Sequence, residues 1–318
     1  MLSRTAENLY WIARYMERAE TTARFLEVGG RIALLPSAGG AGNMSEWNSL
    51  LRASGTEAGF VRKYGDPVQR NVESYFFFDR DNPSSVASCI TAARENARIV
   101  RTALTTQMWD ALNTAFHELR DWDRMERSEM YLTQLTEWTL RHTAMLRGAI
   151  EATHLRNDGY DFLNLGYCLE RADSTARLLD VKYYVLLPQI DYVGSGLDNY
   201  QWTTLLRALS AHRAFHWAYG GDVTAAKIAH FLVLNQQCPR SLLTSVTAAT
   251  MHLDRLARGY GRSGPAQARA RALLGELAEL TIESVFDEGL HEFLTRFIRE
   301  LAIVGAEVET SYLRGDIR

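Results

Sequence analysis

Glu17-Arg18-Ala19-Glu20-Thr21-Thr22-Ala23-Arg24-Phe25-Leu26-Glu27-Val28 returns later in the same chain as Glu170-Arg171-Ala172-Asp173-Ser174-Thr175-Ala176-Arg177-Leu178-Leu179-Asp180-Val181. Eight of the twelve positions are identical and the other four are conservative, at an offset of 153. Self-similarity is sought first because a missed repeat misassigns the whole fold. Further anchors follow in the same order. Leu34-Leu35-Pro36 matches Leu186-Leu187-Pro188, and Trp47-x-x-Leu50-Leu51-Arg52-Ala53 matches Trp202-x-x-Leu205-Leu206-Arg207-Ala208. Asn82-Pro83-x-Ser85-Val86 matches Cys238-Pro239-x-Ser241-Leu242 at offset 156, and Glu151–Leu155 resembles Glu309–Leu313 at offset 158. Collinear anchors with a slowly drifting offset are what duplication and small loop insertions produce.

Within the quoted stretch the apolar and small residues are spaced for a helix. Leu9, Ile12, Met16, Ala19, Ala23 and Leu26 alternate steps of three and four, and Phe162, Leu165, Leu169, Ala172, Ala176 and Leu179 repeat the pattern. Alanine in both seams permits close backbone approach. Ser3 is placed to cap the first helix. That helix ends before Pro36, in a loop holding Gly39, Gly40 and Gly42; its counterpart holds Pro188, Gly194 and Gly196. A second helix is expected from about Glu46. A third runs into Tyr75–Phe78, and Pro83 is expected in the first turn of the next. Long amphipathic segments cover roughly 84–120, 128–155, 240–257 and 266–313. No strand pattern competes. The expected fold is therefore all-α: one compact domain over 1–318, a helical bundle whose halves, 1–155 and 156–318, are related by a pseudo-twofold axis.

Composition agrees with this and excludes several classes. The 318 residues are 47% apolar, with six prolines, enough for a substantial core. The formal charge of -3 lacks the basic excess of nucleic-acid binders. Lys63, Lys182 and Lys227 are the only lysines, so cationic work falls to arginine, which pairs with carboxylates in forks. No apolar run reaches the roughly 18 residues of a membrane span. Cys89, Cys168 and Cys238 have no CxxC spacing, which argues against a disulfide framework or zinc site and for a reducing cytoplasm. No leader-like apolar core follows Met1.

The chemistry-bearing candidates are the duplicated charges: Glu17, Arg18, Glu20 and Arg24, with Glu170, Arg171, Asp173 and Arg177. Glu20 and Arg24 are spaced i, i+4 with the acid first, the favourable order for an ion pair. Two readings stay open. The charges lock the two helices together by ion pairs, or they line a shared cleft in which arginines bind a carboxylate or phosphate and a glutamate acts as base. Glu151/His154 and Glu288/His291 have the Glu-x-x-His spacing of di-metal bundles, which puts both side chains on one helical face. They occupy non-equivalent places in the repeat, so no metal or other cofactor is assigned. The run Gly39-Gly40-Ala41-Gly42-Asn43 lacks the strand and the Lys or Ser/Thr of a phosphate loop and reads as a linker. No GxSxG occurs, and the cysteines and the aromatics Tyr10, Trp11, Trp47, Trp202 and Tyr75–Phe78 read as core.

The segment Leu2-Ser3-Arg4-x-Ala6-Glu7-Asn8-Leu9-Tyr10-Trp11-x-x-Arg14-Tyr15-x-Glu17-Arg18-Ala19-Glu20-x-Thr22-Ala23-Arg24 resembles the opening of the bacterial alpha-E domain family, named for an all-helical domain with a Glu-Arg motif. The resemblance continues through Trp202–Ala208, Pro239-Arg240-Ser241 and Gly289–Leu294, and so spans nearly the whole chain. His154 stands where the family's Glu-x-x-Met-x-Arg context has methionine. The resemblance implies a link to ATP-grasp-type ligases and transglutaminase-like proteins, beside or fused to which such domains are found, in systems that make or trim peptide or amide bonds. The expectation is thus a non-catalytic helical accessory protein that docks on such a ligase or presents its peptide substrate. The alternatives are an enzyme using Glu17, Arg24, Glu170 and Arg177 in one cleft, and a metal-binding bundle. A homo-oligomer is compatible with the sequence; nucleic-acid and membrane partners are not expected.

Overall fold

Both seams are buried: Leu9, Ile12, Met16, Ala19, Ala23 and Leu26 along the first helix, and Phe162 through Leu179 along its counterpart. In the computed structural model, which describes residues 1–33, 44–186 and 196–314, these seams lie on α1 (Ser3–Ile32) and α8 (Asp158–Leu186). The glycine run, Leu34–Pro36 and Leu187-Pro188 fall outside the described residues. Burial extends well beyond the seams. Glu17, Glu20, Thr21, Thr22 and Arg24 of α1 are buried too, as are Glu170, Ser174 and Thr175 of α8. A helix covered on nearly all sides is a core element, not a surface one.

α1 packs against α8, and each also takes a partner of its own, α5 (Val86–Ile99) for α1 and α12 (Leu242–Tyr260) for α8. α7 (Leu132–Thr153) lies on α1 and α15 (Leu290–Val308) on α8. The two helices approach closely at Gly166, where an added β-carbon would stand 2.4 Å from the Tyr10 carbonyl oxygen. The long pair therefore touches through glycine there. One continuous cluster of buried apolar side chains runs from Ala6 to Leu313. No strand occurs among the described residues, and no helix among them is long and apolar enough to cross a membrane.

Several boundaries differ from expectation. Leu2, not Ser3, is the N-cap of α1, with no side-chain cap bond; the chain start is tied instead by the Met1 ammonium, 2.9 Å from Asp158 and 3.0 Å from the Tyr260 hydroxyl. Pro83 lies before α5 rather than in its first turn, because the Ser85 hydroxyl caps the helix by accepting from the Ser88 amide. Ser241 does the same for α12. The segment 84–120 is divided: α5 ends at Ile99, a short 3-10 turn spans Arg101–Ala103, and Thr105 caps α6 (Thr106–Arg124). The segment 266–313 is three helices and a π turn, α13 (Pro265–Glu279), α14 (Ile282–Glu288), α15 and Glu309–Leu313. A hydroxyl cap at Thr281 and Gly289 at φ +96° make those breaks. Gly196, expected in a loop, opens α9 (Gly196–Ala208). Short helices complete the fold: α2 (Met44–Ala53), α3 (Glu57–Tyr64) and α4 (Gln69–Phe77), then α10 (His212–Tyr219) and α11 (Ala225–Val233).

Candidate functional site

The duplicated motif meets itself between α1 and α8. Arg171 of α8 donates to Glu17 of α1 through Nε at 3.0 Å and Nη2 at 3.1 Å. Arg18 of α1 donates to Glu170 of α8 through Nε at 2.6 Å and Nη2 at 3.0 Å. Each glutamate thus accepts a two-pronged guanidinium from the other helix, the geometry in which arginine pairs best. Between the two bridges the hydroxyls of Thr21 and Ser174 meet at 2.7 Å.

The acid four residues before the last arginine of each motif pairs along its own helix, as the i, i+4 spacing predicts. Arg24 donates to Glu20 at 2.8 and 3.1 Å, and Arg177 to Asp173 at 2.7 and 3.1 Å. Arg24 further donates to the Ala208 carbonyl oxygen. All eight motif charges are therefore engaged, but Glu17 and Arg24, placed on one face by helical spacing, pair with different partners.

Three arginines complete the site that the motif did not identify. Arg14 donates its Nε to Glu170 at 2.7 Å and its Nη1 to the Tyr10 hydroxyl at 2.9 Å. Arg147 of α7 bridges Glu17 and Glu20, reaching the latter at 2.8 Å, and Thr143 adds a hydroxyl to Glu20 at 3.2 Å. Arg240, just before α12, donates to Glu17 at 3.2 Å and also to Glu20. Arg14 and Arg240 stand inside segments that the family resemblance marks. Arg147 gives no sequence signal, because only the packing of α7 on α1 brings it near.

Two charge centres result. In the first, Glu17 and Glu20 are surrounded by Arg24, Arg147, Arg171 and Arg240, four cations for two anions. Glu17 is 0% exposed. Burial alone would raise its pKa, but Arg171, Arg240 and Arg147 hold the carboxyl far below the usual range. Glu20 is likewise lowered despite burial and the neighbouring Glu17. The surplus of cations shows on Arg240, which burial, with Arg24 and Arg171 nearby, pushes down to about 10 against the pull of Glu20 and Glu17. In the second centre Arg14 and Arg18 hold the Glu170 carboxyl low against its burial. Asp173 and Arg177 keep 24% and 31% side-chain exposure, and a cavity of about 200 Å³ adjoins Arg14 and Asp173.

The Glu-x-x-His pairs do not present paired ligands. His154 is the residue after the end of α7, in extended conformation, and Gly289 separates Glu288 of α14 from His291 of α15. Neither pair shares a helical face, because each helix ends inside the motif. Glu151 accepts from Arg156 and the Tyr160 hydroxyl, Glu288 accepts from Arg296, and His291 meets Asp180 at 2.6 Å. No group of three or more His, Cys, Asp or Glu among the described residues could hold a metal. The thiols are poor nucleophiles: burial pushes Cys89 up to about 12 and Cys168 up to about 11.

The fold and site together define an all-helical protein built around buried glutamate–arginine pairs. The chain belongs to the Alpha-E family, described as a predicted alpha-helical domain with a conserved ER motif, whose family model matches residues 1–313. No curated protein and no solved structure matches it.

Proposed function

We propose that the Glu-Arg motif is a structural lock, and that the protein is a non-catalytic helical accessory to an ATP-grasp-type ligase, docking on it or presenting its peptide substrate. The observation that carries the reading is the state of the motif glutamates. Glu17 and Glu170 are buried, held ionised and saturated with arginine donors. A general base must exchange a proton near the working pH and reach its substrate; these two do neither. The link to ligases and to transglutaminase-like proteins comes from the family resemblance.

The reciprocal bridges also support the reading of residues 1–155 and 156–318 as two copies of one unit in a single domain. Arg18 to Glu170 and Arg171 to Glu17 exchange roles under a pseudo-twofold operation, as in an isologous contact. So do α5 on α1 and α12 on α8.

The test mixes the purified chain with an ATP-grasp-type ligase from the same organism and follows size-exclusion elution and ligase turnover. A stable complex with altered turnover is expected, and Glu17→Gln should act through loss of folded protein. Failure to form a complex, or a catalytic activity of the isolated chain that a folded Glu17→Gln variant loses, overturns the reading.

A further inference from the structure

The two centres differ in where their cations come from. Carrying the offset of 158 between Glu151–Leu155 and Glu309–Leu313 one turn back sets Arg147 against Gly305; the offset of 156 sets Arg240 against Ser84. Glu20 thus receives Arg24, Arg147 and Arg240. At Asp173, its counterpart, only the match to Arg24 is present, namely Arg177. The two other guanidinium positions hold a glycine and a serine.

Beside Gly305 lies the 200 Å³ cavity, lined by Arg14, Leu169, Asp173, Leu301 and Glu309 among others. A β-carbon on Gly305 would meet nothing nearer than Arg14 Nη1 at 3.7 Å, an ordinary contact, so the space admits a side chain. Leu169 and Leu301 offer apolar walls to a methylene stem. Asp173 and Glu309 offer carboxylates to its head, and Glu309 has only a long contact of 3.5 Å to Arg314. Glu309 also opens the π turn Glu309–Leu313, a rare conformation concentrated at functional sites. Arg14 is no bar to a second guanidinium, since Arg147 itself stands with Arg171 and Arg240 around Glu17.

We propose that this cavity binds an arginine side chain of a peptide or partner segment, its guanidinium between Asp173 and Glu309, in the place that Arg147 fills from within the chain at the first centre. The inference rests on the repeat and on the partner-binding reading above, and it names the chemistry that reading requires.

The probe is N-acetyl-arginine N-methylamide, with the citrulline analogue as its uncharged isostere, titrated into the full chain by NMR or calorimetry. Saturable binding with Kd on the order of 1 mM is expected, at least tenfold weaker for citrulline. Asp173→Asn should weaken arginine binding at least tenfold while circular dichroism stays unchanged. Gly305→Arg should abolish it by filling the site from within and should raise the thermal midpoint. Equal binding of the two probes, no saturable binding, or arginine binding untouched in folded Asp173→Asn overturns the proposal. A ligase complex without arginine binding defeats this inference alone; arginine binding without a complex defeats only the ligase assignment. A Gly305→Arg chain that folds but loses stability defeats the repeat equivalence.

Discussion

Glu17 and Glu170 occupy matching places on α1 and α8, yet their surroundings diverge. The first centre is closed by Arg147 and Arg240 reaching in from α7 and from the start of α12. The second relies on Arg14 from the opposite long helix and leaves Asp173 and Arg177 partly in solvent beside a cavity. The difference teaches that one conserved motif can serve as a seal on one side and as the rim of an opening on the other. The reciprocal bridges are shared. What departs is the set of outlying cations, and those lie outside the motif.

The largest effect should come from Glu17→Gln. It leaves several guanidiniums buried against a single remaining carboxylate, and breaking such a pair costs about 3–5 kcal/mol. Urea denaturation should show this loss. Glu170→Gln should cost less, because it strands only the two guanidiniums of Arg14 and Arg18, where Glu17→Gln leaves four cations around one carboxylate. Equal costs would break the comparison. Acid should act on the same carboxylates. The folded pKa values of Glu17, Glu20 and Glu170 lie below their unfolded values. Their stabilisation is therefore present above about pH 4.3 and lost as pH falls through the folded values. Stability measured from pH 7 downward should drop below about pH 4, with a shallower fall in Glu17→Gln and in Glu170→Gln than in the unsubstituted chain.

Gly166→Ala should come next, at about 1–3 kcal/mol, because its methyl group would collide with the Tyr10 carbonyl and force α1 and α8 apart. A neutral outcome in thermal unfolding would mean that the long helices are not held at that approach. Arg240→Met should be milder still, within about 2 kcal/mol and well below Arg171→Met. Arg240 is pushed down by burial in an already cation-rich centre, where Arg147 and Arg171 are raised, and Arg171 forms the two-pronged bridge. The reverse order in chemical denaturation would show that Arg240, not Arg171, closes the site. The smallest effect belongs to Glu27→Gln, which removes an exposed i, i+4 pair with Arg31 worth roughly 0.3–0.5 kcal/mol.

Much of this was legible from local pattern. The three-four spacing marked both buried seams, and Glu20–Arg24 and Asp173–Arg177 formed at the separation helical geometry dictates. Helix ends were less legible. Ser85, Thr105 and Thr281 each offered a hydroxyl where a continuous amphipathic pattern suggested uninterrupted helix. Capping competed with periodicity there and prevailed. The same effect dissolved the metal-like motifs, since a Glu-x-x-His spacing has meaning only if the helix runs through both residues.

The sequence by itself determined that the chain is helical, that its seams are apolar, and which acid pairs with which arginine along one helix, because those follow from contacts within a turn or two. Only the tertiary structure decided that Glu17 answers Arg171 rather than Arg24, and that Arg147 and Arg240 close one centre. It also placed an opening at Gly305 in the other. Those partners lie far apart in the chain, and a long-range ion pair leaves no periodic trace; its geometry is set by how α1, α7, α8 and α12 pack.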